Sequence, residues 1–219
     1  MKLLYQIILS LIQSTIILAS FNINNSIWEM EMPNNSIETI HEEVINCISC
    51  DLCKSRTNAV PGDGDSKASI MFIGEAPGRN EDEKGRPFVG MAGKILDETL
   101  TKVGVIRSRV YITNVVKCRP PSNRIPTEEE RRTCKNYLER EISIISPKII
   151  CILGRTAYES LLGGSSILGN RGKFIQKDNR LYFLTIHPAA IIYNNKLRKV
   201  LEEDMETLVK ECRRLQTSS

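Results

Sequence analysis

Apolar and mixed segments alternate along the chain in a way that predicts strands alternating with helices. Apolar runs predict buried strands over residues 68–74, 110–116 and 147–153. Residues 173–176 and 181–186 predict a hairpin or two neighbouring strands. Helical spacing or helix-start signals predict helices over residues 36–53, 92–103, 154–162 and 195–215, and one that begins at residue 128. This order predicts a three-layer α/β/α fold whose central sheet is mostly parallel and four-stranded.

Three polar side chains fall where predicted strands end. Glu75 follows the first strand, Asn114 lies near the end of the second, and His187 follows the last. The carboxyl ends of parallel strands meet at one edge of a sheet, where α/β proteins bind their ligands. We therefore expect these three residues to share a site.

The amino-terminal segment differs from the rest of the chain. Residues 3–19 are mostly apolar after a single Lys2, as in a signal peptide or short membrane span, but several polar residues interrupt the run. Met30 and Met32 offer two internal starts. We interpret residues 1–33 as a misread start or a poorly ordered extension, and residues 34–219 as one domain. A membrane-tethered or exported metal protein is the alternative that this segment favours.

The charge balance is only mildly basic, so a nucleic-acid surface would need local clustering. Thirty Lys and Arg residues against 26 Asp and Glu residues give a net charge of +4. Lys117, Arg119 and Arg124 have no acidic neighbour between positions 117 and 126. We expect these three cations to contact DNA phosphates, with an ordinary solvated loop as the alternative.

Seven cysteines, an odd number, argue against a disulfide scaffold in a chain of 219 residues. Four of them form two groups that suit thiolate ligands of a metal centre: Cys47, Cys50, Cys118 and Cys134. Their spacing fits structural zinc and an iron–sulfur cluster equally well. Cys53 is a spare thiol near this set, and Cys151 lies in an apolar run typical of a core.

Four segments in order resemble the family 4 uracil-DNA glycosylases, the iron–sulfur branch of their superfamily. They are Gly74-Glu75-Ala76-Pro77-Gly78, the Gly85–Gly93 segment GRPFVGMAG, the Thr113–Pro121 segment TNVVKCRPP, and His187-Pro188-Ala189. The resemblance covers roughly residues 38–211. It implies a [4Fe–4S] cluster held by the four cysteines named above. The cluster would brace the amino-terminal helix against the loop between Cys118 and Cys134.

The resemblance also implies roles within a pocket for a flipped uracil. Phe88 would stack on the base, Asn114 would pair with O4 and N3–H, and His187 would donate to O2. Gly74 and Ala76 would line the base site.

Three carboxylates are candidates for the group that activates the attacking water. Many superfamily members have an Asp where Ala76 stands here. Glu75 is therefore the first candidate, and Glu81 and Asp82 are alternatives. Ile191 and Ile192 would either wedge into the base stack or pack in the core.

The function implied is hydrolysis of the N-glycosidic bond of deoxyuridine in DNA, which leaves an abasic site for base excision repair. No lysine is positioned by a motif as a Schiff-base nucleophile, so strand cleavage is not expected. A non-catalytic iron–sulfur or zinc module that binds nucleic acid is the alternative. We expect a monomer in the cytoplasm, associated with the nucleoid and recruited by a replication clamp or a polymerase, and no membrane contact of the folded domain.

Overall fold

Six strands form one sheet at the centre of residues 36–217, the part of the chain that the computed structural model describes. The strands are β1 (Asp63–Gly64), β2 (Ile70–Gly74), β3 (Tyr111–Asn114), β4 (Ile149–Leu153), β5 (Phe174–Lys177) and β6 (Arg180–Thr185). Their order is β1-β3-β2-β4-β6-β5. The inner strands β3, β2, β4 and β6 are parallel, and the edge strands β1 and β5 are antiparallel.

The mostly parallel centre is confirmed, whereas the predicted number of four strands is wrong. The strands beyond the inner four lie at the edges, and one of them, β5, matches the strand predicted over residues 173–176. β1 has only two residues within a turn-forming segment, so no hydrophobic period marks it. β5 pairs only with β6 through the turn at Asp178 and Asn179, which both have positive φ.

Helices cover both faces of the sheet, which confirms the three-layer prediction. They are α1 (Ile37–Ile45), α2 (Leu52–Ser55), α3 (Arg79–Lys84), α4 (Met91–Lys102), α5 (Glu128–Ile145), α6 (Arg155–Leu162), α7 (Ile167–Asn170), α8 (Ala189–Tyr193) and α9 (Leu197–Thr217). Helices α1, α5 and α6 share one buried cluster with the sheet, and α4, α8 and α9 share the other. Met71 and Ile73 face the first cluster, while Ile70 and Phe72 face the second. A strand covered on both sides must be apolar throughout, which explains the uninterrupted apolar runs in the sequences of the inner strands.

Capping residues fix the starts of two helices. Ser36 Oγ accepts from the Thr39 main-chain N–H at 3.2 Å. Thr127 and Glu130 form a capping box at the start of α5, with Thr127 Oγ1 accepting from Glu130 N–H and Glu130 Oε2 accepting from Thr127 N–H.

Two helix predictions are wrong. The first helix ends at Ile45 rather than residue 53, so Cys47 and Cys50 lie in a loop beyond it. Residues 79–84, for which no helix is predicted, form α3, a short polar helix that lacks an apolar stripe.

The interpretation of residues 1–33 as an extension lies outside the described residues. Within residues 36–217, no helix is long and apolar enough to cross a membrane.

Candidate active site

The carboxyl ends of the inner strands meet around one pocket. β2 and β3 are neighbours, with Gly74 opposite Asn114 in the parallel register. The pocket has a volume of about 240 Å³. Its wall includes Glu75, Ala76, Phe88, Asn114, Arg124 and His187. The structure thus brings together most of the residues that the sequence selects, from segments far apart in the chain.

Asn114 presents an incomplete hydrogen-bonding group to this pocket. The residue is 2% exposed, and its Oδ1 is a buried side-chain atom with no hydrogen-bond partner within the described residues. A buried carbonyl oxygen without a donor costs about 1–3 kcal/mol. A ligand that offers an N–H to this oxygen would recover that free energy.

The Phe88 ring is buried beside Asn114 and His187. Its backbone adopts φ +53°, a left-handed conformation that is uncommon for a bulky residue. Its ring centroid lies 5.6 Å from that of His187, at an interplanar angle of 31°. A Cβ on Gly74 would lie 2.5 Å from Asn114 Oδ1 and 2.7 Å from Phe88 Cζ. Gly74 therefore makes room for the ring and the carboxamide to lie side by side.

Glu81 holds the loop that carries Phe88. Its carboxylate accepts from the main-chain N–H groups of Gly78 at 3.1 Å, Val89 at 2.9 Å and Gly90 at 2.7 Å. The neighbouring Asp82 Oδ1 accepts from the main-chain N–H groups of residues 57 and 58. Both carboxylates, alternatives for the water-activating group, are thus committed to supporting loops.

Glu75 is the carboxylate with the clearest access to the pocket. Its Oε2 accepts a hydrogen bond from the Thr156 hydroxyl at 2.5 Å. Its side chain also borders an adjoining cavity of about 320 Å³, lined in part by Gly154 and Arg155. A carboxylate fixed by one hydroxyl keeps acceptor capacity for a water molecule.

His187 is held as a neutral imidazole. The Ala189 main-chain N–H donates to Nδ1 at 3.1 Å, which leaves the proton of the neutral ring on Nε2. Burial lowers the pKa of His187 to about 4, because the half-buried ring in the pocket wall is poorly solvated in its charged form. At neutral pH the side chain is therefore a donor through Nε2.

The three predicted DNA-contacting cations have different surroundings. Lys117 is fully buried, and its Nζ pairs with Glu141 Oε2 at 2.6 Å, so the prediction that it faces DNA is wrong. Arg124 lies at the pocket but forms two hydrogen bonds to Glu130, at 2.8 and 2.6 Å. Arg119 Nε donates to Asn123 Oδ1 at 2.7 Å in an exposed turn. Carboxylates of α5 thus pair with Lys117 and Arg124, whereas Arg119 bonds to an amide in its own turn.

The cysteines of the predicted ligand set lie close enough to influence one another electrostatically. The pKa of Cys118 is raised, mainly by burial and also by the thiols of Cys47 and Cys50. Burial raises the pKa of Cys134 to about 11, with the thiols of Cys50 and Cys118 adding to the shift. Arg56 Nη1 donates to Cys118 Sγ at 3.0 Å, and its Nη2 donates to the Ile45 carbonyl at 2.9 Å.

The four cysteines, once deprotonated, are soft donors of the kind that bind zinc or an iron–sulfur cluster. Between residues 36 and 217, no three His, Cys, Asp or Glu side chains are close enough together to hold a single metal ion.

Sequence reasoning missed several residues around these sites. Arg56 and Glu141 have no motif or period that marks them, and only folding brings them to their partners. Tyr193 lines the pocket and is 89% exposed.

The two isoleucines considered as wedge or core residues differ in exposure. Ile191 packs in the core at 3% exposure, so its core alternative holds, while Ile192 is 49% exposed.

Comparison with known proteins gives consistent matches. The family described as the uracil DNA glycosylase superfamily matches residues 61–209. The chain is 52% identical over 184 residues to the type-4 uracil-DNA glycosylase of Sulfurisphaera tokodaii, an alignment that covers 80% of this chain and 84% of that protein. It is 50% identical over 188 residues to the type-4 uracil-DNA glycosylase of Saccharolobus solfataricus, covering 81% and 87%. A type-5 uracil-DNA glycosylase of Pyrobaculum aerophilum is 31% identical over 173 residues, covering 71% and 74%.

Proposed function

Because this chain belongs to the uracil-DNA glycosylase superfamily, within its type-4 branch, we propose that it hydrolyses the N-glycosidic bond of deoxyuridine in DNA. The uracil-bearing nucleotide is flipped into the pocket, and the product is an abasic site. The observation that carries this proposal is the buried Oδ1 of Asn114, which has no hydrogen-bond partner among residues 36–217 and lies in the pocket that Phe88 and His187 also line.

Asn114 selects uracil by its hydrogen-bonding pattern. Its Oδ1 accepts from uracil N3–H, and its Nδ2 donates to O4. Cytosine carries an acceptor at N3 and an amino group at C4, so the same carboxamide would face two mismatched groups. Phe88 packs against the face of the base, and the pocket surface at Gly74 and Ala76 completes the site.

His187 lowers the barrier by stabilising the departing base. Negative charge grows on uracil O2 as the glycosidic bond breaks, and Nε2–H donates to that atom. Removal of one such donor costs about 2.7–4 kcal/mol in transition-state stabilisation. A neutral donor serves this purpose, in agreement with the lowered pKa of the imidazole.

Glu75 orients the attacking water or stabilises the cationic sugar. Its fixed Oε2 and its position on the pocket wall support this assignment. Ile192 and Tyr193, exposed at the end of α8, fill the space that the flipped nucleotide leaves in the stack.

Cys47, Cys50, Cys118 and Cys134 are assigned as ligands of a [4Fe–4S] cluster. When bound, this cluster supplies a structural link between the loop after α1 and the segments around Cys118 and Cys134, with no redox step in excision. Arg56 supports the same link, since it joins the carbonyl of Ile45 to Cys118 Sγ.

DNA contacts are assigned to Arg124, which lines the pocket, and to Arg119, which bonds to Asn123 of the pocket wall, with Lys117 excluded by its burial. Recruitment by a replication clamp or polymerase, a monomeric state and a cytoplasmic location at the nucleoid stay predictions.

An excision assay tests the proposed function. The protein is incubated with an end-labelled oligonucleotide that contains one uracil, and with a matched thymine oligonucleotide as the control. We expect free uracil in solution and strand cleavage only after alkali, with no product from thymine or from His187→Ala protein prepared in the same way. Binding of the oligonucleotide without release of uracil would instead identify a non-catalytic module.

A further inference from the structure

A fully buried ion pair lies beneath the strand end that carries Asn114. Lys117 Nζ donates to Glu141 Oε2 at 2.6 Å, to Thr113 Oγ1 at 2.6 Å and to the main-chain carbonyl of Asn114 at 3.0 Å. An ammonium group has three hydrogens, so these three contacts use its full donor capacity.

The carboxylate of Glu141 is equally saturated. Its Oε2 also accepts from the Thr113 hydroxyl at 2.9 Å, and its Oε1 accepts from Gly62 N–H at 3.1 Å and from the Tyr111 hydroxyl at 3.3 Å. With every donor and acceptor committed, a shift of any member would leave a buried charge incompletely bonded. The network therefore permits one arrangement of the backbone at residues 113 and 114.

The carboxamide of Asn114 needs such support because its oxygen has no hydrogen-bond partner in the described part of the chain. The position of the side chain must therefore follow from the backbone that carries it and from the walls at Gly74 and Phe88. Stabilisation of the fold does not by itself account for the Lys117–Glu141 pair, because the cost of removing two charges from water offsets their attraction.

We propose that Thr113, Lys117 and Glu141 are positioning residues that fix Asn114 for uracil recognition. This inference rests on the proposed function of the pocket. Lys117 then contributes to base selection indirectly, without contacting the base or DNA.

Thr113→Val is the sharpest variant, because it removes one hydroxyl, keeps the side-chain shape and leaves both charges in place. Thr113→Ser restores the hydroxyl. Thr99→Val is the matched control, since Thr99 is also buried and donates to the Ile95 carbonyl at 2.8 Å within α4. The wild type and these variants are compared with Asn114→Ala and with the double variant Thr113→Val/Asn114→Ala.

The readouts are the single-turnover excision rate, inhibition by free uracil, and affinity for an oligonucleotide with an abasic site. We expect Thr113→Val to lose about tenfold in rate and in uracil inhibition, because its hydroxyl accepts from Lys117 and donates to Glu141, with abasic-site affinity unchanged. Thr113→Ser recovers most of the loss, and Thr99→Val retains wild-type excision. In the Asn114→Ala background, Thr113→Val changes the rate by less than about twofold, because the residue that it positions is gone.

Equal losses from Thr113→Val in both backgrounds, or a loss of stability without any change in excision or uracil inhibition, would overturn the positioning role and leave the proposed function intact. A wild-type protein that releases no uracil would overturn the proposed function and this inference with it.

Discussion

Asn114, Phe88 and His187 are the residues that we propose to recognise the base, and each of them has an uncommon structural feature. The first has a buried oxygen with no partner among residues 36–217, the second has a left-handed backbone, and the third has its ring nitrogen Nδ1 committed to the main chain. A folded chain tolerates an unbonded buried atom and backbone strain where a ligand compensates for them. All three residues line one pocket, where the N3–H of uracil would supply the donor that Asn114 Oδ1 lacks within the described part of the chain.

Asn114→Asp tests the recognition pattern directly. An ionised carboxylate only accepts, so it repels uracil O4 and suits the amino group of cytosine. We expect uracil excision to fall by roughly 10- to 100-fold, from a loss of about 1–3 kcal/mol, and release of cytosine to become measurable. Both rates are measured under single-turnover conditions on oligonucleotides that differ only at that base. Unchanged rates on both substrates would contradict the role of Asn114.

His187 predicts an acid-dependent loss of stability. Its pKa is about 4 in the folded protein and about 6.5 in an unfolded chain, so the unfolded state binds more protons between these values. Stability contributed by the neutral ring is therefore lost as the pH falls from about 6.5 towards 4, by up to about 3 kcal/mol. His187→Gln removes this contribution.

Denaturant unfolding at pH 7 and pH 4.5 measures this effect. We expect the free energy of unfolding to fall more steeply in the wild type than in His187→Gln. Equal losses in the two proteins would show that His187 ionises as readily when folded as when unfolded.

The strand-end positions of Glu75, Asn114 and His187 could be predicted, because three apolar runs place them at one edge of a parallel sheet. The surroundings of Lys117 could not. Its partner Glu141 lies 24 positions further along the chain, on α5. No local sequence pattern indicates that the two side chains meet. A lysine in a Pro-rich polar loop has the same sequence signature whether it faces DNA or a buried carboxylate.

At the scale of elements, two strand ends at the pocket edge are anchored in the same way. Thr113 at the end of β3 donates to Glu141 on α5, and Thr185 at the end of β6 donates to Asp204 on α9 at 2.6 Å. Each carboxylate is paired with a cation, Lys117 in the first case and Arg171 in the second. Helices on opposite faces of the sheet thus fix the strand ends that precede Asn114 and His187.

Gly74→Ala tests the close approach of elements at the end of β2. The added Cβ would lie 2.5 Å from Asn114 Oδ1 and 2.7–2.9 Å from the Phe88 ring, so one of them must move. We expect excision to fall at least about tenfold, because catalytic geometry tolerates little displacement, while the fold is retained. Single-turnover rates and thermal unfolding measure the two effects. A variant with wild-type excision would show that the pocket wall has more space than the structure indicates.

The helix that carries clear start signals, α5, was predicted better than α3 or the end of α1, which carry weak or misleading signals. The start of α5 follows from Thr127 and the three acids after it, as a capping box requires. Helix α3 was missed because six polar residues carry no apolar stripe, and its stability comes instead from Glu81, which caps the helix and holds the loop after it. The end of α1 was placed too late because the apolar spacing continues through Ile48, which is 81% exposed in the folded protein.

At the scale of the whole folded domain, the thiol set joins segments that are distant in sequence. Cys47 and Cys50 follow α1, Cys118 follows β3, and Cys134 lies within α5. A cluster bound by all four would cross-link three parts of the same side of the sheet and restrain the loop that begins at Cys118.

Iron analysis of protein purified without oxygen tests this link. We expect a brown protein with about four irons per chain and a broad visible absorbance band. Cys118→Ala should lose the colour and unfold at a lower temperature, while Cys151→Ala, which removes a core thiol outside the set, should keep the iron. A colourless, zinc-loaded and fully active wild type would exclude the iron assignment.

A crystal structure of the protein with free uracil tests the central claim most directly, since one pocket must hold the base between three strand-end residues. We expect uracil N3 about 3 Å from Asn114 Oδ1, O2 at a similar distance from His187 Nε2, and the Phe88 ring packed on the base face. Uracil bound elsewhere, or bound in this pocket with Asn114 Oδ1 still lacking a donor, would contradict the account.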